Sequence, residues 1–141
     1  MDNGELDRAY DDWLEVVKGI LRIRIRRMTA DDGTKDLANA FLRRVSDVLD
    51  QARPDIAAAI GKLEQEHEGV ADAFAAELAF YNRRYGRYGQ LDDRNGVDDD
   101  RVDPVWDAKT VKDSLEELLG RWLPDWVKKA LKLLNELMSL V

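Results

Sequence analysis

The final stretch of the chain, residues 125–141, decides the fold, and it reads DWVKKALKLLNELMSLV. With successive side chains turned by about 100°, as in an α-helix, its apolar and polar residues fall on opposite halves of the helix. The apolar half consists of Trp126, Val127, Ala130, Leu131, Leu133, Leu134, Leu137, Met138, Leu140 and Val141. A face this wide has to be covered by the rest of the domain, a second copy, another protein or a lipid surface, and we favour packing into the core of the domain.

The beginning of the chain carries a similar helical pattern. Apolar residues recur every three or four positions over residues 5–21, which predicts an amphipathic helix. Residues 21–27 then alternate between apolar residues and arginine, which is the period of a strand. Because the sequence offers no second strand for pairing, we interpret this segment as the end of the first helix, which stops before residues 29–33.

Further helices are predicted over residues 34–88. Thr34 is a suitable N-cap for the second helix, and Pro54 is suited to the first turn of a third. Over residues 55–88 the apolar spacing fits either one helix or two helices that are broken near Gly69. We favour one long helix, because no proline or turn-forming residue stands beside this glycine.

The second half of the chain contains the one predicted loop and two more helices. Gly86 is expected to end the long helix, and the aspartate-rich segment at about 89–104 is expected to form an acidic loop. Asp107 or Thr110 can cap the next helix, and Pro124 separates that helix from the C-terminal one.

These elements predict an all-α fold in which residues 1–141 form a single domain. We expect a five- or six-helix antiparallel bundle with a long central helix and an amphipathic C-terminal helix. The long middle helix and the C-terminal helix are expected to supply the centre of the core. The expected large core residues are Trp13, Phe41, Phe74, Trp106, Trp122 and Trp126.

The composition restricts the function classes. A formal net charge of -7 disfavours binding to nucleic acid, which depends largely on neutralising phosphates. Without cysteine, the chain has no disulfide, no thiolate metal site and no thiol nucleophile. No segment approaches the roughly 18 apolar residues of a membrane-spanning helix, and we expect a cytoplasmic protein.

No group of residues matches a catalytic or cofactor site. His67 is the only histidine, so paired-histidine metal sites are excluded and we expect a structural role for it. An EF-hand alignment of the acidic loop with Gly96 at position six places Leu91 at position one and Val102 at position twelve, where carboxylates are required. We therefore predict no enzyme, no metal and no cofactor, and no small-molecule substrate is evident.

Three groups of residues remain as candidates for binding a partner. They are Asp98, Asp99 and Asp100 in the acidic loop, Arg83, Arg84 and Arg87 at the end of the long helix, and Trp126, Lys128, Lys129 and Lys132 on the C-terminal helix. The arginines, with neighbouring tyrosines, could bind nucleic acid, and the C-terminal helix could lie on a membrane surface, but the overall acidity argues against both.

Two hypotheses for the function follow from these patterns. The leading one is a non-enzymatic intracellular interaction module, an adaptor or regulatory domain, that binds another protein or a second copy of itself through its helix surfaces. The alternative is a small acidic inhibitor of the immunity-protein type that neutralises a basic toxin or nuclease.

Overall fold

The computed structural model describes residues 3–86 and 104–140, which form five α-helices and contain no strand. The helices are α1 (Asn3–Arg27), α2 (Asp32–Glu66), α3 (Val70–Tyr85), α4 (Pro104–Leu119) and α5 (Asp125–Leu140). The predicted all-α fold is confirmed. Among these described helices, none combines the length and the apolar character that crossing a membrane requires.

Helix α1 contributes a broad buried face to the core. Its buried apolar residues are Leu6, Ala9, Tyr10, Trp13, Leu14, Val16, Val17, Ile20, Leu21, Ile23 and Ile25. Helices α2 and α3 both pack along α1, and α2 also contacts α4 and α5. The middle and C-terminal helices were predicted to supply the centre of the core, and α2, α3 and α5 do supply buried residues, but α1 supplies a large share as well.

The alternating segment at the end of α1 is helical through Arg27, as predicted. Leu21, Ile23 and Ile25 are buried, whereas Arg22 and Arg24 between them are partly exposed. Arginine tolerates such positions because its long aliphatic stem can cover apolar neighbours while the guanidinium reaches water or an acceptor.

Helix α2 runs antiparallel to α1 and begins earlier than predicted. Lys35 Nζ donates a hydrogen bond to the Arg26 carbonyl oxygen at 2.9 Å, close to the turn between the two helices. The N-cap is Asp31, because its carboxylate accepts a hydrogen bond from the Thr34 backbone N–H at 2.7 Å. Thr34 thus lies inside the helix, and its backbone amide, followed by its hydroxyl, lowers the pKa of Asp31.

The predicted helix start at Pro54 is also wrong, because α2 continues through this proline. Leu49 and Ala52 before Pro54, and Ile56 after it, are all buried, while Pro54 itself is exposed. The continuous buried face packs both halves of α2 onto the core, and this packing compensates for the missing backbone hydrogen bond.

Residues 55–88 do not form the single helix that the spacing favoured, because the chain turns between Glu66 and Val70. Gly69 has φ of 91°, a left-handed backbone conformation that strongly favours glycine. The Glu64 carboxylate accepts hydrogen bonds from the backbone N–H groups of Gly69 at 2.9 Å and Ala71 at 2.8 Å. A side chain from the end of α2 therefore caps the start of α3, and Gly86 terminates α3 as expected.

Helix α4 begins at Pro104, so the predicted caps Asp107 and Thr110 lie inside it. A proline suits the first helical position because its missing N–H would have no intrahelical partner there. Tyr81 Oη donates a hydrogen bond to the Pro104 carbonyl oxygen at 3.1 Å, and Tyr85 Oη donates one to the Asp107 carboxylate. These two contacts tie the end of α3 to the start of α4.

The predicted large core residues divide into three groups. Trp13 is completely buried, and Phe41, Phe74 and Trp122 are partly buried against the core. Trp106 and Trp126 are 63% and 40% exposed, so their assignment to the core is wrong. Trp106 lies on the side of α4 opposite the buried line of Ala108, Lys112, Leu115 and Leu119.

Candidate interaction surface

The apolar face of α5 is covered mainly by its own chain, since α5 packs against α2 and α4. The buried residues of α5 are Val127, Ala130, Leu131, Leu134, Leu137 and Met138. They occupy the middle and one edge of the predicted apolar half, which confirms that this face packs into the core. Val141 lies outside the described residues.

One edge of the same face is not covered. Trp126 and Leu140 are 40% and 69% exposed, and Leu133 between them is partly buried against the core. These three residues are each seven positions apart, so they follow one line along the helix that shifts by only about 20° per step. We call Trp126, Leu133 and Leu140 the α5 stripe.

Other exposed apolar side chains do not form a comparable line. Among the described residues, the large apolar side chains that are exposed are Leu37, Phe80, Trp106, Leu118, Trp126 and Leu140. Leu37 and Phe80 each stand alone on their helices, and Trp106 and Leu118 lie about 120° apart around α4. Isolated exposed apolar residues are ordinary on protein surfaces, whereas an aligned set is a candidate surface for association.

Charged side chains border the α5 stripe on its solvent side. Lys129 and Glu136 are exposed and lie about 40° round the helix from the stripe, one on each side of Leu133 along the helix. Lys128 and Lys132, the other predicted binding residues of this helix, are exposed farther round on the polar side. Of the predicted set on α5, Trp126 and Lys129 therefore share one surface, and Lys128 and Lys132 do not.

The predicted arginine group does not form one patch. Arg83 lines a cleft of about 320 Å³ between α1 and α3, together with Arg8 and Asn82. Arg84 lines a different groove, between α3 and α4, and its guanidinium lies 5.4 Å from the centre of the Tyr85 ring. Arg87 lies outside the described residues, so no structural statement connects it to the other two.

The acidic residues Asp98, Asp99 and Asp100 also lie outside the described residues, as does most of the predicted loop at 89–104. The inhibitor hypothesis rests on these aspartates and stays a prediction from the sequence. His67, the only histidine, is exposed at the end of α2, where its backbone N–H bonds to the Leu63 carbonyl oxygen at 2.9 Å. Over residues 3–86 and 104–140, no group of three or more histidine, cysteine, aspartate or glutamate residues could hold a metal ion.

A second surface feature was not anticipated from the sequence. A groove of about 400 Å³ lies between α1 and α2 and is lined by Lys18, Arg22, Asn39, Leu42, Arg43, Ser46 and Asp47. We call it the α1–α2 groove. The sequence gives little sign of it, because its cations come from two helices whose facing residues are known only once the helices are paired.

The α5 stripe, by contrast, is partly visible in the sequence as a repeat of apolar residues. Its three members repeat every seven residues at one boundary of the apolar arc, whereas the buried members occupy the rest of the arc. The sequence does not identify Leu133, Leu140 and Glu136 as binding residues, because a helical wheel does not show which edge of the apolar face a neighbouring helix covers.

Comparison of the chain with family models, curated proteins and solved structures finds no match. The geometry of its surfaces is therefore the basis for a functional proposal.

Proposed function

We propose that this chain is a protein–protein interaction module that self-associates by pairing the α5 stripe with the α5 stripe of a second copy. One observation carries the proposal: the exposed fractions of Trp126 and Leu140 are high, although both lie on one line of a helix whose remaining apolar face is buried. We further propose that the module acts as an adaptor or regulator in the cytoplasm and has no catalytic activity.

The spacing of the stripe supports a helix as its occupant. Helices that pack side by side along a seam carry apolar residues at two positions in every seven, and the α5 stripe supplies one of these two positions. A tryptophan at the end of such a seam is a frequent contributor to binding energy, because it buries a large rigid surface. Burying the exposed parts of Trp126 and Leu140 against a second helix would remove them from water.

The charges beside the stripe support a second copy in antiparallel orientation. In such a pair with its two-fold axis near Leu133, Trp126 of one copy faces Leu140 of the other, and Lys129 comes close to Glu136. In a parallel pair, Lys129 would face Lys129 and Glu136 would face Glu136, which is repulsive. The sequence of α5 is thus complementary to its own reversed copy, as an isologous interface requires.

Sedimentation equilibrium of the wild-type protein and of stripe variants tests this proposal. We expect a reversible dimer with a dissociation constant on the order of 10 μM, as befits a small interface. Leu140→Glu should weaken the dimer at least about tenfold, because it places a charge in the apolar seam. The matched control is Leu37→Glu, which changes a leucine that is 73% exposed on α2 and should leave the mass unchanged.

Two results would contradict the proposal. One is a wild-type protein that remains monomeric at concentrations approaching about 1 mM. The other is an equal loss of association in Leu37→Glu and Leu140→Glu, which would show that added negative charge, and not the stripe, governs the mass. Circular dichroism of each variant should match the wild type, because both leucines are exposed.

A further inference from the structure

The α1–α2 groove collects cationic side chains in a chain that carries 29 acidic and 22 basic residues. Lys18 and Arg22 come from α1, and Arg43 comes from α2. We propose that this groove is a binding site for a small organic phosphate that carries hydroxyl groups. The inference is independent of self-association, because no residue of α5 lines the groove.

The two arginines of the groove have unused hydrogen-bonding capacity. Lys18 Nζ is paired with Glu15 Oε1 at 2.8 Å, so its charge is already balanced. Within the described part of the chain, neither Arg22 nor Arg43 forms an ion pair or a side-chain hydrogen bond. Two guanidinium groups that line one cavity without forming an ion pair are suited to an external anion, although the Asp47 carboxylate lines the same cavity.

The hydrogen-bonding geometry of the two arginines favours phosphate over carboxylate. Guanidinium groups bind phosphate oxygens through pairs of parallel hydrogen bonds. A phosphate group offers three acceptor oxygens, so one phosphate can accept from both Arg22 and Arg43, whereas a carboxylate offers only two oxygens. Asp47 offsets part of the positive charge of the groove, and a long polyanion would also meet the net negative charge of the whole protein.

The remaining lining residues favour a ligand with hydroxyl groups. Ser46 is buried and its hydroxyl donates to the Leu42 carbonyl oxygen at 2.8 Å, so Ser46 Oγ is left with acceptor capacity. Asp47 adds a carboxylate acceptor, and the Asn39 side chain can both donate and accept. Acceptors beside two cations suit a molecule with a phosphate at one end and hydroxyl groups at the other.

Calorimetric titration at constant ionic strength tests the site with glycerol 3-phosphate, inorganic phosphate and glycerol. We expect saturable binding of glycerol 3-phosphate, weaker binding of inorganic phosphate and no binding of glycerol. Arg22→Gln and Arg43→Gln should each weaken glycerol 3-phosphate binding about tenfold, the effect of losing one charge-assisted hydrogen bond. The matched control is Arg44→Gln, which changes an exposed arginine of α2 that does not line the groove and should bind like the wild type.

The proposal is overturned if glycerol 3-phosphate shows no saturable binding at about 10 mM, where even a weak site would fill. It is equally overturned if Arg44→Gln loses as much affinity as Arg22→Gln, because the effect would then reflect overall charge alone.

Asp47→Asn tests the hydroxyl part of the assignment. Removing this carboxylate should strengthen the binding of inorganic phosphate, because a like charge disappears, and should reduce the preference for glycerol 3-phosphate over inorganic phosphate. An unchanged preference would contradict the role of Asp47 in binding a hydroxyl group. All of these variants leave the α5 stripe intact, so the result is separate from the outcome for self-association.

Discussion

Glu64 connects two helices through hydrogen bonds that depend on its charge. Its carboxylate accepts from the backbone N–H groups of Ala71 and Gly69, and these bonds, Ala71 first, lower the pKa of Glu64. The carboxylate also lies at the N-terminus of α3, where the helix dipole favours negative charge. Because the folded pKa lies below the unfolded one, the stabilisation is present above the unfolded pKa and is lost as the pH falls through the folded pKa.

Glu64→Gln should therefore lower the melting temperature at pH 7. The difference from the wild type should stay constant above about pH 5 and shrink as the pH falls below the unfolded pKa, and it should disappear once the pH is below the folded pKa, where the glutamate is protonated like the neutral glutamine. Thermal melts followed by circular dichroism between these limits provide the measurement. Glu68→Gln, a change at an exposed residue beside the same turn, is the control and should track the wild type.

Lys112 is the buried cation of α4, with a relative exposure of 1%. Its ammonium group reaches Asp113 at 2.6 Å and Glu116 at 2.9 Å, and both carboxylates are partly exposed. The aliphatic stem fills core volume while the charge is held at the edge of the core. We expect Lys112 to contribute more through its stem than through its ion pairs, because both partner carboxylates stay accessible to water when the pairs are removed.

Lys112→Met should keep the unfolding free energy within about 1 kcal/mol of the wild type, because methionine retains most of the stem and its former partners remain hydrated. Lys112→Ala should cost about 2 kcal/mol or more through the cavity that it leaves. Urea denaturation of both variants distinguishes the two contributions. Equal losses would mean that the ion pairs, and not the packing, stabilise this part of α4.

At the scale of the elements, two glycines of the α2–α3 region should respond to alanine in opposite directions. A Cβ atom added at either glycine would have nothing within 4 Å, so neither substitution causes a clash. The two glycines differ in backbone conformation, because Gly69 has φ of 91° and Gly61 lies inside α2. Gly69→Ala should therefore destabilise by about 1 kcal/mol through backbone strain, and Gly61→Ala should stabilise by about 0.5 to 1 kcal/mol through helix propensity. The urea midpoints of the two variants show whether each substitution raises or lowers stability. A Gly69→Ala protein as stable as the wild type would contradict a turn at Gly69.

Pro54 offers a second test of the helix assignments. In the interior of α2 it removes one backbone hydrogen bond, so Pro54→Ala should raise the unfolding free energy by about 1 to 3 kcal/mol. If a helix began at Pro54 instead, the proline would be favourable and its replacement would lower stability. Urea denaturation therefore distinguishes a continuous α2 from two shorter helices.

These two sites also explain how far the sequence predicts the elements. The helical class and the core face of α5 follow from periodicity, because it shows which side chains share a face. The extension of α1 through residues 21–27 follows instead from the lack of a second strand for pairing, since the alternation of this segment has the period of a strand. Periodicity does not show that the chain turns at Gly69, because the apolar spacing of α2 continues into α3 across the turn. It also could not identify the Glu64 cap, since that contact forms only after the chain has reversed.

At the scale of the whole molecule, the surface sites were only partly predictable. Trp126 and Lys129 were identified from the amphipathic pattern of α5, but coverage by α2 and α4 determines which edge of that pattern stays exposed. Arg22 and Arg43 are far apart in sequence and meet in one groove only because α1 and α2 are antiparallel. The proposed anion-binding site therefore depends on the tertiary structure and could not be read from the sequence.

The antiparallel pairing of α5 is tested most directly by exchanging the charges that border the stripe. Lys129→Glu and Glu136→Lys change the net charge of the chain in opposite directions, yet each should weaken the dimer several-fold, because each places like charges together across the two-fold axis. The double variant Lys129→Glu/Glu136→Lys restores opposite charges and should recover wild-type association in sedimentation equilibrium. Opposite effects of the two single variants, or a double variant that stays monomeric, would contradict the pairing of α5 with its own reversed copy.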